Sequence, residues 1–272
     1  MARRPVCRDE QPDLFDLPVR AAPAPQATGA AAPEVDPSQL DDAELCARFP
    51  EAGLQNLNAM AAQLLQRRPP KWQASVLGLW DRFAGFGRDK PCPEQILVLD
   101  MIRDVGGAAA REMLRALLAR DNVYPCLDAS LVRAAAASGF PLSAARVAPC
   151  LSGPDPELRQ AALEIATPSG LVVEDLRPLL HDRDAAVRRL AAIVLAEVGD
   201  VAVRDMLVQL LRQQPCLRGL EALVNLAAED VVIRLGQIAR THPDWCAAIR
   251  ELLEGIDHPK APVVLAALPT LA

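Results

Sequence analysis

The side chains that could do chemistry in this chain are its cysteines, its histidines and a recurring set of arginines and aspartates. Seven cysteines are scattered along 272 residues, and four follow a proline: Pro91-Cys92, Pro125-Cys126, Pro149-Cys150 and Pro215-Cys216. Three of these dipeptides precede an amphipathic stretch at similar register, which suggests a ladder. A zinc site needs sulfurs ~2.3 Å from one ion, and no Cys-x-x-Cys pair supplies two ligands locally. Small buried thiols filling gaps between helices account for the pattern, with a redox or cluster site as the rival reading. An odd number of scattered cysteines fits a reducing cytoplasm better than a disulfide framework. The histidines, His181, His242 and His258, stand apart at no metal-ligand spacing. The sequence holds no Gly-x-Ser-x-Gly elbow, no phosphate-cradling glycine loop and no recognisable Cys–His pairing. It predicts no catalytic residue, no metal and no cofactor.

Two groups of residues are candidates for contact with a protein partner. Trp72, Val76, Trp80 and Phe83 fall at i, i+4, i+8 and i+11 of one helix opened by Pro69-Pro70, with Phe86 close by. Such a stripe either caps the end of a helical stack or lines a partner groove, where aromatics are favoured anchors. The second group is Gln11, Asp13, Leu14 and Phe15, within Gln11-Pro12-Asp13-Leu14-Phe15. This run resembles the pentapeptide by which bacterial proteins dock on the replication sliding clamp. That resemblance implies a Gln at the pocket rim and Leu and Phe in an apolar cleft, with Pro12 the loosest fit. It also implies a replication or repair accessory. The same apolar residues could equally pack on the chain's own helices.

The elements that must position these residues are helical. The chain is rich in Ala and Leu and only 3 % aromatic, which favours helix and excludes a predominantly β fold. A net charge of −6 argues against a protein that grips phosphate backbones. The arginines that could line a nucleic-acid face stand among acids: Arg204 and Arg212 with Asp205, Arg234 and Arg240 with Glu229 and Asp230. No run of 18 apolar residues exists to span a membrane. Met1 to Glu10 is charged without an apolar stretch after it, unlike a secretory leader. Residues 1–37 are rich in Pro and Ala, as in Ala21-Ala22-Pro23-Ala24-Pro25, and read as a disordered tail. From Ser38 the pattern turns amphipathic, with Ser38 or Asp41 as the first helix cap and Leu45 and Phe49 on the first apolar stripe.

A four-residue signature then recurs at intervals of about thirty residues. It appears as Val132-Arg133-Ala134-Ala135, Leu158-Arg159-Gln160-Ala161, Val187-Arg188-Arg189-Leu190, Leu217-Arg218-Gly219-Leu220 and Ile249-Arg250-Glu251-Leu252. Asp128, Asp155, Asp184 and Asp244 stand just upstream and are expected to cap helices. Gly106, Gly139, Gly170 and Gly199 are expected to end them. The clearest unit, Asp184 to Gln214, places Val187, Leu190, Ala191, Val194, Leu195 and Val198 on one face of its first helix. Val203, Met206, Leu207, Leu210 and Leu211 form the apolar face of its second. One such pair cannot bury itself, but stacked neighbours can.

The Asp-x-x-Val-Arg-x-x-Ala-Ala pattern with a Gly before the second helix resembles bacterial HEAT-like repeats, the short form also found in phycobilisome lyases. The resemblance covers roughly residues 90–257 and implies an α-solenoid of antiparallel helix pairs in a right-handed superhelix. Residues 38–89 and 258–272 are expected as its N- and C-terminal caps. The fifth pair departs from the pattern, with Ala227-Ala228-Glu229 where the closing Gly should be. Di-iron enzymes among such folds carry repeated His-Glu pairs, which this sequence lacks. The resemblance implies a non-enzymatic, cytoplasmic scaffold that binds other proteins, with a bilin-lyase-type or enzyme-accessory role as the alternative. In these repeats the Arg and Asp residues (Arg159, Arg188 and Arg218 with Asp155 and Asp184) form structural ladders and caps.

Overall fold

A computed structural model describes residues 36–226 and 230–268, and every regular element among them is helical. An N-terminal group of α1 (Asp42–Arg48), α2 (Leu54–Arg67) and α3 (Trp72–Arg82) precedes six hairpins. The hairpins are α4 (Pro93–Val105) with α5 (Gly107–Leu118), α6 (Asp128–Ser138) with α7 (Ala144–Leu151), and α8 (Pro156–Glu164) with α9 (Val173–Leu176). They continue with α10 (Ala185–Glu197) and α11 (Arg204–Gln213), α12 (Leu217–Asn225) and α13 (Val231–Thr241), then α14 (Cys246–Glu254) and α15 (Ala261–Ala266). The expectation of an all-α solenoid holds. The short α15 packs on α13 as well as α14, so it takes the position of a second helix in the stack.

The first helices form one continuous row, α4 on α6 on α8 on α10 on α12 on α14. Second helices α5, α7, α11 and α13 each lean on the first helix of the next hairpin. This arrangement explains why α10 is buried on more than one face. Val187, Ala191, Val194 and Leu195 are interior as expected, but so are Ala192, Ile193 and Ala196. Alanines on the flanks let neighbouring first helices approach closely. Two assignments are corrected: Leu190 is only partly buried, and Val198 is exposed. Val198 is the C-cap of α10, beyond the last turn that a neighbour covers.

Helix ends follow local chemistry. Asp41 caps α1 through a capping box with Glu44, and Leu45 and Phe49 behind it are fully buried. Asp155 accepts from the backbone N–H of Glu157, and Asp184 from those of Ala186 and Val187. Asp128 and Asp244 do not cap: the first pairs with Arg146, and the second lies in the 3-10 turn Pro243–Trp245. After α6 and α10 the chain closes with paired reverse bonds at a left-handed glycine. Gly139 donates to Ala136 O while Phe140 donates to Ala135 O, and Gly199 and Asp200 do the same to Ala196 O and Leu195 O. The fifth-hairpin turn at residues 227–229 lies outside the described residues.

Arginines stitch successive hairpins together. Arg133 holds Asp155, Arg177 holds Asp200 through two nitrogens at 3.0 and 3.2 Å, and Arg189 donates to Gln214 at 2.7 Å. Arg159 is buried and Asp182 partly buried, and the two meet in a two-pronged contact at 2.8 and 2.8 Å. Arg159 also donates to Gly153 O, and Asp182 accepts from the N–H of Asp184. Arg188 donates to the backbone oxygens of Asp182 and Arg183. Arg218, on α12, reaches Glu197 of α10 and Glu164 of α8 together. These residues are structural, as the repeat resemblance implied, although Arg159 and Arg218 take acids other than Asp155 and Asp184.

Candidate protein-interaction surface

Three thiols of the cysteine ladder donate hydrogen bonds. Cys92 Sγ donates to Glu94 at 3.0 Å, Cys126 Sγ to Gly87 O at 2.8 Å, and Cys150 Sγ to Arg146 O at 3.6 Å. Burial is the largest cause pushing the Cys92 and Cys150 thiols above their ordinary pKa, which disfavours the thiolate that nucleophilic or metal chemistry needs. Cys126 and Cys150 share the wall of a cavity of about 530 Å³ with Asp128, Arg146 and Pro149, at the edge where one hairpin passes to the next. Its one cation is already engaged, Arg146 holding both the Asp128 carboxylate and Val123 O. Burial, outweighing that arginine, raises the Asp128 pKa. Among the described residues no cluster of three His, Cys, Asp or Glu could hold a metal ion. Two histidines serve the backbone: His242 Nε2 lies 2.6 Å from Arg212 O, and His258 Nδ1 accepts from the N–H of Lys260.

The aromatic stripe sits inward. Trp72 is 8 % exposed and Trp80 0 %, with Val76 equally interior between them. Trp80 donates from Nε1 to Asn122 Oδ1 at 2.8 Å, tying α3 to the segment after α5. A partner groove formed by Trp72 and Trp80 is therefore corrected: both side chains are used to close the N-terminal end of the core. Only the end of the stripe reaches solvent, with Phe86 62 % exposed and stacked obliquely on Phe83 at 5.8 Å. Gln11, Asp13, Leu14 and Phe15 lie outside the described residues.

An apolar surface that the sequence pattern did not single out lies on the opposite edge, where first helices turn into second helices. Val172, Val198 and Val201 are 55 %, 39 % and 65 % exposed. Val172 and Val198 join Thr167, Leu171, Val173 and Leu176 around a cavity of about 360 Å³ between the α8–α9 and α10–α11 turns, with Glu174 at its side. Local sequence explains the opening. After Gly170 the chain runs Leu171-Val172 before α9, and α9 gives way after one turn to the 3-10 segment Arg177–His181, which contains Pro178. The second layer is thus thin here and leaves the end of α10 uncovered. A legible signal existed: an apolar residue directly after a closing glycine packs back on its own helix, as Phe140 and Leu171 do, but Val172 and Val201 are in excess of that need. The Arg177–Asp200 pair clamps the two turns beside the cavity, and Arg177 holds the Asp200 carboxyl below the usual carboxylate range.

The fold is that of a stacked helical-hairpin solenoid. Residues 144–223, from α7 into α12, match the family model for HEAT repeats, and the cavity at Val172 and Val198 falls within that stretch. Comparisons with curated proteins and with solved structures found no significant match.

Proposed function

We propose that this chain is a non-enzymatic scaffold that docks an apolar segment of another protein on the turn edge between α8 and α11. The observation that supports this reading is the pair of solvent-facing valines, Val172 and Val198, that line one cavity on capped and ion-paired elements, with Val201 exposed three residues beyond Val198. Clustered exposed apolar side chains on an otherwise polar edge are the usual mark of a contact site. Helical-repeat scaffolds supply that kind of surface without reacting groups, and the thiols described above are held as hydrogen-bond donors. No described helix is long and apolar enough to cross a membrane. In this reading the scaffold works in the cytoplasm, where its described cysteines, none in a disulfide, stay reduced.

The test is affinity capture with the full chain and with Val172→Glu/Val198→Glu. Both positions are exposed, so the double variant should keep the parent's circular dichroism and melting profile. A partner recovered by the parent should fall by ~tenfold or more with the variant, the equivalent of about 1.4 kcal/mol of lost contact. Equal recovery by both proteins refutes the site.

A further inference from the structure

Resting on that reading of the turn edge, we propose that the chain's own N-terminal segment is its resident occupant, with Leu14, Phe15 and Leu17 seated at the Val172–Val198 cavity. Three observations support it. The first is where the segment joins the solenoid. Arg67, in the last turn of α2, donates to Leu40 O at 2.7 Å and to Ser38 O at 2.9 Å. Residues 38–40 are thereby held at the C-terminal end of α2, which packs on α4, the first member of the continuous row of helices.

The second is length. Three hairpin steps separate α2 from α8, and helices pack ~8–10 Å apart, so the cavity lies about 30 Å along the edge. Leu17 is 19 residues before Asp36. A chain of that length spans at most ~63 Å extended, and about 24 Å as a flexible coil. The intervening Ala-Pro stretch, Ala21-Ala22-Pro23-Ala24-Pro25, stiffens it toward the longer value. The cavity thus lies within reach, and the tether gives the segment an effective concentration in the ~mM range there.

The third is chemistry. Leu14-Phe15-Asp16-Leu17 gathers three large apolar side chains, including the one Phe among residues 1–35. The cavity walls are Leu171, Val172, Val173, Leu176 and Val198. Three residues past Leu17 stands Arg20, whose charge complements that of the exposed Glu174. An external partner then has to displace a tethered competitor, and its apparent affinity falls by the fraction of chains with an open cavity.

The experiment is photo-cross-linking of the full chain carrying benzoylphenylalanine in place of Phe15, mapped by mass spectrometry. The expected product is an intrachain link from position 15 to residues 167–176 or 196–201, in the monomer, at a yield independent of protein concentration. The Val172→Glu/Val198→Glu background should cut that yield ~tenfold with melting unchanged. Four results overturn the proposal: no link, a link elsewhere on the chain, a yield that survives the double substitution, or a dimer product that grows with concentration. Because the capture experiment reads an external partner, patch-dependent capture without the cross-link removes the resident segment and leaves the docking edge standing.

Discussion

Replacing Leu195 by Ala tests the packing logic of the stack most directly. Leu195 is fully buried on α10, the first helix that carries contacts to both α8 and α12. The substitution removes about three methylene equivalents, or ~2.4 kcal/mol at ~0.8 kcal/mol each. If ~50 Å³ of the vacated space stays unfilled, the cavity term of about 24 cal/mol per Å³ adds ~1 kcal/mol. The expected loss is ~3–4 kcal/mol, read as a lower urea midpoint by circular dichroism. Leu190, four residues from Ala186 on the same helix, is only partly buried, and Leu190→Ala should cost ~1–2 kcal/mol. Hydrogen exchange adds a spatial reading. Nearest-neighbour coupling predicts that α8, α10 and α12 lose protection first, ahead of α2 and α14. Uniform acceleration across all helices, or a Leu190 effect equal to that of Leu195, refutes the argument.

Further expectations follow from the ends and bridges of the helices. Arg159→Met leaves the partly buried Asp182 carboxylate with the Asp184 N–H and the nearby Arg183 charge and should cost up to ~3 kcal/mol near pH 7. Arg159 holds the Asp182 carboxyl below the usual carboxylate range. Its stabilisation is therefore present above the unfolded-state carboxylate pKa and lost as pH falls through the folded value, so urea titrations of parent and variant should converge below about pH 4. A gap of constant size down to pH 2 contradicts the assignment. Gly199→Ala forces a side chain into a φ of +83° and should lower stability by ~1–2 kcal/mol; an unchanged urea midpoint argues against the left-handed closure.

The sequence was most informative where one residue type has one local task. Asp155 and Asp184 cap their helices and Gly139 and Gly199 end theirs, because each acts on backbone groups within a few positions. Asp128 carries the same letter at the start of α6, of which it is the first residue, yet its carboxylate is claimed by Arg146, 18 residues away. Periodicity separated apolar faces from polar ones, but it could not show that α10 is covered from several sides or that its last residue, Val198, projects beyond cover. The reach of Arg218 to Glu164 spans 54 residues and depends on how two hairpins stack. The aromatic stripe was read correctly as one helical face; whether that face met solvent or core depended on Asn122 and the neighbouring hairpin. The proposed docking edge was faint for a related reason, since Val172 and Val198 line one cavity only when two turns lie side by side.

The three-way contact of Arg218 has a mechanical consequence. A curved array of rods bends by widening the spacing on one side while narrowing it on the other. On the side where one guanidinium grips acids from both preceding first helices, α8, α10 and α12 cannot spread without pulling Glu164 or Glu197 away from it. Both carboxylates are partly exposed, so the contact adds little to folding free energy. What it adds is stiffness, acting as a cross-brace over the central repeats. Elastic give is thereby shifted toward the two ends of the array, while the braced middle keeps a fixed shape.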